Sequence, residues 1–239
     1  MLFASYSHSF ETPTTTELAN PDGSGGFNQM LRPQQADNVE VGWKMGTTKQ
    51  YLELAIFNIR LKDELIPFEL DSSPGRTFFA NVGQSSRSGL EVAYSWTGKS
   101  GLGIDASYTY SDFVFDEFID ASGNDFSGSM LPGVPTQFGR LLFRYRNDRG
   151  LNFGFENIFS GRLFADNANA IRVSDYLVSS VRLSQNFDRG KWHYRPYLGI
   201  NNLFKQNYND NIRINAFGGR YYEPAPDRNI YAGISVRYQ

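Results

Sequence analysis

The chain contains no cysteine and only two histidines, and no apolar run in it is long enough for a membrane-spanning helix. Each absence removes a class of chemistry. Without thiols there are no structural disulfides, no thiolate nucleophile and no cysteine metal site. His8 and His193 are the only imidazoles, and they are far apart in the chain. Formal net charge is −2, so the chain lacks the basic footprint that nucleic acid requires. There is no G-x-S-x-G elbow and no phosphate-binding loop. Met1–Phe10 has no basic stretch followed by an apolar core, so it is not a secretory leader. The missing apolar run of about 18 residues excludes a spanning helix. It does not exclude spanning strands, whose alternation averages to the hydropathy of a soluble protein.

What is present is period-2 alternation, repeated ten times in 239 residues rich in glycine, phenylalanine and tyrosine. Residues 101–110 set Leu102, Ile104, Ala106, Tyr108 and Tyr110 against Gly103, Asp105, Ser107 and Thr109. Residues 228–238 set Ile230, Ala232, Ile234, Val236 and Tyr238 against Asn229, Tyr231, Gly233, Ser235 and Arg237. The same reading predicts strands at 2–9, 39–45, 50–61, 90–96, 138–146, 151–163, 175–184 and 191–201. Their connections alternate in length. Residues 47–49, 98–100, 147–150 and 188–190 are short; 10–37, 62–76, 116–136, 164–174 and 202–227 are long. Tight turns at one end and long loops at the other are expected of an all-β, antiparallel transmembrane β-barrel, with the short turns periplasmic. A soluble antiparallel sandwich is the competing architecture. Small residues and arginines on the polar faces, and Tyr94, Trp96, Trp192, Tyr194 and Tyr238 at strand ends, suit a wet lumen and a membrane–water boundary better. Pro196 falls inside a strand, where an irregular or edge-like site is expected. Gly42, Gly83 and Gly89 are expected at bulges or close backbone approaches.

A series of motifs then follows in one order. These include Leu31-Arg32-Pro33-Gln34 with Asn38-Val39-Glu40-Val41-Gly42-Trp43-Lys44, and Asn81-Val82-Gly83 with Arg87-Ser88-Gly89-Leu90-Glu91. Tyr108-Thr109-Tyr110-Ser111-Asp112, Leu131-Pro132-Gly133-Val134-Pro135 and Asn201-Asn202-Leu203-Phe204 with Tyr208 come next. Arg220-Tyr221-Tyr222-Glu223-Pro224 lies near the end. Together they resemble the C-terminal barrel portion of TonB-dependent outer-membrane receptors, of the iron-complex or siderophore type, over essentially the whole chain. The resemblance departs at the terminus, where Gln239 follows the aromatic Tyr238. It implies a bacterial outer-membrane location and a fragment of a larger barrel of about 22 strands, with the plug domain absent. It also implies contact with outer-membrane lipid and with TonB through that missing plug, and uptake of a ferric siderophore or similar metal chelate. No cofactor and no enzyme activity are implied.

The residues support ligand contact in the long loops, where rings and guanidinium groups suit a bulky anionic chelate. Candidates are Phe118, Phe126, Phe217, Arg220, Tyr221 and Tyr222, with Phe27, Met30, Arg32, Phe115, Phe164 and Arg213 as further aromatic and basic loop residues. Each could instead only pack its loop. Asn207, Asn209, Asp210 and Asn211 offer oxygens but lack the spaced carboxylates of a calcium loop. Two other functions fit a ten-stranded membrane protein: a passive pore, or an outer-membrane enzyme. The enzyme would need a marked base, and neither histidine lies in such a motif. The alternation of connections predicts that, in the intact protein, cysteine at Ser122 is labelled by an impermeant thiol reagent on whole cells and cysteine at Ser100 is not. The reverse pattern would invert the orientation.

Overall fold

A computed structural model describes residues 1–21, 25–70, 73, 75–120 and 123–239. Ser122 lies outside them. In chain order the strands are β1 (Leu2–Glu11), β2 (Gln34–Gly46), β3 (Gln50–Glu69), β4 (Thr77–Thr97), β5 (Leu102–Glu117), β6 (Gln137–Arg146) and β7 (Leu151–Ser160). There follow β8 (Leu163–Phe164), β9 (Arg172–Val173), β10 (Tyr176–Gln185), β11 (Phe187–Arg189), β12 (Trp192–Asn201), β13 (Asn209–Ile212), β14 (Tyr222–Pro224) and β15 (Asn229–Tyr238). One antiparallel sheet takes β1-β2-β3-β4-β5-β6-β7-β10-β12 in order, with β15 beyond β12 and β11 continuing the line of β10. β8–β9 and β13–β14 are small two-stranded ribbons within the loops. All ten predicted strands are present. β1 and β15 are the two ends of the sheet and do not pair with each other.

Neighbours pair in sequence because each tight turn fixes the register of its hairpin. Thr47 N–H donates to Gln50 O at 2.7 Å, and Asn147 N–H to Leu151 O at 3.0 Å. Gly101 and Gly150 take positive φ in two of these turns, where a Cβ would meet backbone atoms. Once register is set, parity carries across every strand. One row runs Ala4–Val41–Ile56–Leu90–Tyr110. Another runs Ile104–Phe143–Phe155–Val181–Ile200–Ile230. All lie on the same face, and that face is apolar. Ile56 is 65% exposed and Ile234 60% in the sheet by itself, as expected of side chains that only lipid would cover.

The opposite face holds the charges, and several are paired across strands. Lys44–Glu53, Arg140–Glu156 and Arg144–Asp105 each close at 2.6 Å. Aromatic rings on this face lie over glycines. A Cβ on Gly89 would sit 2.4 Å from the Phe57 ring, and one on Gly42 2.3 Å from the Phe3 ring. Close approach is therefore what those two positions require. At Gly83 a Cβ would lie 2.4 Å from Glu117 O, beside the bulge that interrupts the β4–β5 register at Gln84/Ser85. Pro196 keeps its pairing with Ile234, but on its other side the ladder breaks between β10 and β11. A residue without an N–H meets the expectation of an irregular site there.

Strand lengths depart from the expectation in one region. β3 and β4 run to 20 and 21 residues, not 12 and 7 as the ranges 50–61 and 90–96 implied. β2 and β5 are also longer than predicted, at 34–46 and 102–117. About 9–11 residues span a bilayer as a tilted strand, so the β3–β4 hairpin projects well past the apolar belt. Its upper part has no lipid face, so the apolar alternation that marks a spanning strand is not needed there. Pro67 is accommodated in β3 because β2 pairing has ended at Lys62 and one side of the strand is free. The strand predicted over 151–163 ends at Ser160. Ile234→Arg near the midplane should reduce assembly of the intact protein into the outer membrane, at a cost of about 2–4 kcal/mol. Ser235→Arg, on the polar face, should be milder, and quantifying folded protein in outer-membrane fractions compares the two.

Candidate ligand-binding surface at the long-loop end

The long loops are built onto the projecting hairpin. Phe115, Phe118 and Leu131 are buried together, with Ile66, Phe113 and Phe126 packed against them. The Phe118 ring centroid lies 4.8 Å from that of Phe115 and 5.3 Å from that of Phe126. Backbone bonds fold the segment back on itself: Phe126 N–H donates to Phe118 O at 2.8 Å, and Leu131 N–H to Phe113 O at 2.9 Å. Phe118 is 3% exposed, so packing of the loop occupies its ring. Phe126 is half-buried against it.

Asparagine side chains then join this loop to its neighbours. Asn169 holds Met130 through both backbone groups: Met130 N–H donates to Oδ1 and Nδ2 donates to Met130 O, each at 2.8 Å. Asn215 accepts from Asn167 N–H at 3.0 Å and donates its own N–H to Ala165 O at 2.9 Å. Gly133 N–H reaches Phe164 O at 2.8 Å. Asn169 and Asn215 both adopt left-handed backbone, with φ 56° and 52°, which asparagine tolerates better than most residues. Residues 130–133, 164–169 and Asn215, from three long connections, are thereby joined. Beneath them lies a cavity of about 220 Å³, lined in part by Arg87, Glu64, Phe113, Asn167 and Ile214. Arg87 and Glu64 form an ion pair at its wall. Arg87 Nε and Asn167 Oδ1 are buried there without a hydrogen-bond partner.

The final long connection forms a projecting ribbon from β13 and β14. Arg213 Nε donates to Glu223 at 2.6 Å and Asn211 Nδ2 at 3.0 Å. These bonds, Asn211 first, hold the Glu223 carboxyl below its ordinary pKa. Arg213 is therefore committed to Glu223. Arg220 is exposed, Tyr222 is 48% exposed and Tyr221 is half-buried, with the two phenol rings 6.3 Å apart. The Phe217 side chain lies outside the described residues; its backbone forms the short 3₁₀ turn Phe217–Gly219. Tyr222 faces a cleft of about 260 Å³ that also includes Arg172, Asp175, Tyr176, Asn207 and Tyr208. The Tyr176 and Tyr208 rings pack at 4.6 Å. Burial, then Asp210 and Tyr176, raises the Tyr208 phenol.

The structure thus separates five of the six candidates. Phe118 and Phe126 belong to the loop core; Arg220, Tyr221 and Tyr222 lie on the ribbon. Phe27 and Met30 are exposed on the first long connection. Arg32 is paired with Asp63 at 2.6 Å, and Asn81 clamps its backbone. Arg172, Tyr176 and Tyr208 were not among the candidates for this cleft. No local signal marks them, because residues 172–176 and 207–209 meet only through folding. His8 and His193 sit on separate strands, bonded to Asp37 and Asp188. Among the described residues no group of three or more His, Cys, Asp or Glu is placed to hold a metal.

With this geometry, the comparisons with known proteins are informative. Residues 1–203 match the family described as TonB dependent receptor-like, beta-barrel. The chain belongs to that family. Its members are outer-membrane transporters rather than enzymes, and the apolar face is accordingly a lipid face. A probable TonB-dependent siderophore receptor, PiuA of Acinetobacter baumannii, is 24% identical over 218 residues, covering 88% of this chain and 28% of the relative. Its crystal structure superposes with a TM-score of 0.75 at 22% identity, over 99% of this chain and 33% of that one. The ferrioxamine receptor of Yersinia enterocolitica is 26% identical over 188 residues, 75% of this chain and 25% of its own. The copper transporter OprC gives a TM-score of 0.74 at 18% identity, over 99% of this chain and 37% of that one. The chain spans about a quarter of the length of the curated relatives it matches.

Removing the Asn169 amide should open the loop unit without unfolding the sheet. For Asn169→Ala, leaving the Met130 backbone groups unpaired should lower the local opening free energy by about 1–3 kcal/mol. Hydrogen exchange at 125–135 in the intact protein should accelerate while strand amides keep their protection.

Proposed function

We propose that this chain forms part of the barrel of a receptor that imports a ferric siderophore or a similar metal chelate across the outer membrane. The observation that carries the reading is the ribbon of the final long connection. It presents Arg220 and Tyr222 to solvent and places Tyr222 on a cleft with Arg172, Tyr176 and Tyr208. A guanidinium supplies charge-assisted hydrogen bonds to carboxylate, catecholate or hydroxamate oxygens, and phenol rings supply contact area at low entropy cost. Arg213, Arg32 and Arg87 are held by carboxylates and serve the loops' own structure. Tyr221 stands beside Tyr222, and the Phe217 backbone belongs to the same connection. In this reading the buried Phe118 and half-buried Phe126 keep the surface in shape and do not touch ligand. Energy for uptake would come from TonB in the periplasm, acting through the receptor's plug domain.

In the intact receptor, Arg220→Ala with Tyr222→Ala should weaken chelate binding by ten-fold or more at unchanged outer-membrane abundance. A panel of ferric hydroxamate, catecholate and citrate complexes, assayed by radiolabelled iron uptake, would identify the ligand class. Loss of abundance would make the ribbon structural. Unchanged affinity at normal abundance would remove it from the binding surface.

A further inference from the structure

The inward, polar face of the sheet is electrically divided. On β2–β5 its charges are mostly acidic, with Glu40, Glu53, Glu91 and Asp105. On β6, β7, β10, β12 and β15 they are basic: Arg140, Arg144, Arg146, Arg182, Arg195 and Arg237. The one carboxylate on those five strands is Glu156, and Arg140 takes it. Arg144 pairs with Asp105 across the boundary. Arg146, Arg182, Arg195 and Arg237 are exposed and form no ion pair among the described residues. Neutral groups orient two of them without cancelling the charge. Arg182 lies over the Tyr197 ring at 4.9 Å, and Arg195 Nε donates to Ser184 Oγ at 3.3 Å.

These arginines are tiered along the wall. Counted along each strand from its short turn, Arg140 and Arg182 are highest, Arg144 and Arg195 lower, and Arg146 and Arg237 beside the turns. On β6 the tiers are about 13 and 7 Å apart, comparable with the Debye length of about 8 Å at physiological salt. The row Arg144–Gly154–Arg182–Gly199 sets glycines next to the arginines. A Cβ on Gly154 would meet only Leu142 Cδ1, at 3.6 Å, so the wall is open there. A recess of about 370 Å³ lies over it, lined in part by Arg140, Arg182, Arg195 and Tyr231. Its upper end is continuous with the ligand cleft, because β10 begins with Tyr176, which lines that cleft. Like charges repeated along one wall favour an anion at every height, not at a single point. We propose that this arginine band, with Arg182 and Arg195 at its centre, is the transit track of an anionic chelate through the lumen, which rests on a chelate being the cargo. An acidic face of the plug would also neutralise the band. The open recess and its continuity with the cleft favour an occupant that moves.

The test uses cells that make the intact receptor, with a trianionic ferric catecholate and a neutral ferric hydroxamate, both carrying radioactive iron. Surface binding is read in energy-poisoned cells and initial uptake in energised ones. Arg182→Gln with Arg195→Gln should slow uptake of the catecholate by about ten-fold, the lower range of what a lining of one sign contributes. Its surface affinity should stay the same, and so should uptake of any hydroxamate carried. Arg182→Lys with Arg195→Lys should restore the rate, and heat-modifiable electrophoretic mobility reports folding of each variant. Should the double glutamine variant fail to assemble, Arg182→Gln alone is read in the same way, with a fall of about three-fold. Unchanged uptake in a folded glutamine variant would overturn the proposal, as would equal slowing of both complexes or a wild type that carries only the neutral one. Increased entry of vancomycin into the variant cells would also overturn it, by making these arginines anchors of the plug. Wild-type cells that bind neither complex would remove the chelate reading itself, and the track with it.

Discussion

The structure depends on one constraint: a backbone in hydrocarbon finds no water, so every N–H and C=O within the belt must pair with another strand. An antiparallel sheet running from β1 to β15 is how this chain meets it. A break in the ladder, between β10 and β11, lies opposite Pro196, where the partner lacks an N–H. The constraint applies equally to β1 and β15, whose outer edges pair with no other strand among the described residues. Edges of that length are compatible with lipid only when paired.

Alternation follows from the same ladder. Once the first register is fixed, a side chain's face is settled for all ten long strands, and the two faces meet different solvents. Outward residues must be apolar over the height of the hydrocarbon. Inward residues are free to carry charge, and Arg140, Arg144, Glu156 and Asp105 do so in pairs. Above the belt the requirement lapses. There the β3–β4 hairpin becomes a scaffold instead of a membrane wall, and Phe115, Phe118 and Leu131 form a small core on it. The loop unit is therefore held by ordinary globular packing and by asparagine amides, on top of a sheet held by hydrogen bonding and lipid. This division lets the loop surface vary in sequence without disturbing the spanning register.

By itself the sequence determined the fold class, the number and order of the spanning strands and their parity. All of these rest on local signals: period-2 hydropathy, tight-turn residues and the alternation of connection lengths. It also determined that arginine and aromatic residues gather in the loops. Tertiary structure decided which of them are available. Phe118 and Tyr222 are both aromatic loop residues in sequence, yet one is 3% exposed and the other 48%. The difference comes from whether a hydrophobic scaffold lies behind the residue, and residues distant in the chain set that. The lengths of β3 and β4 were hidden because a strand wetted on both faces has no amphipathic period. The cleft of Arg172, Tyr176, Tyr208 and Tyr222 was hidden because three separate segments form it. Register and parity are properties of neighbours in sequence; a binding surface is a property of neighbours in space, and only the folded loops bring those together.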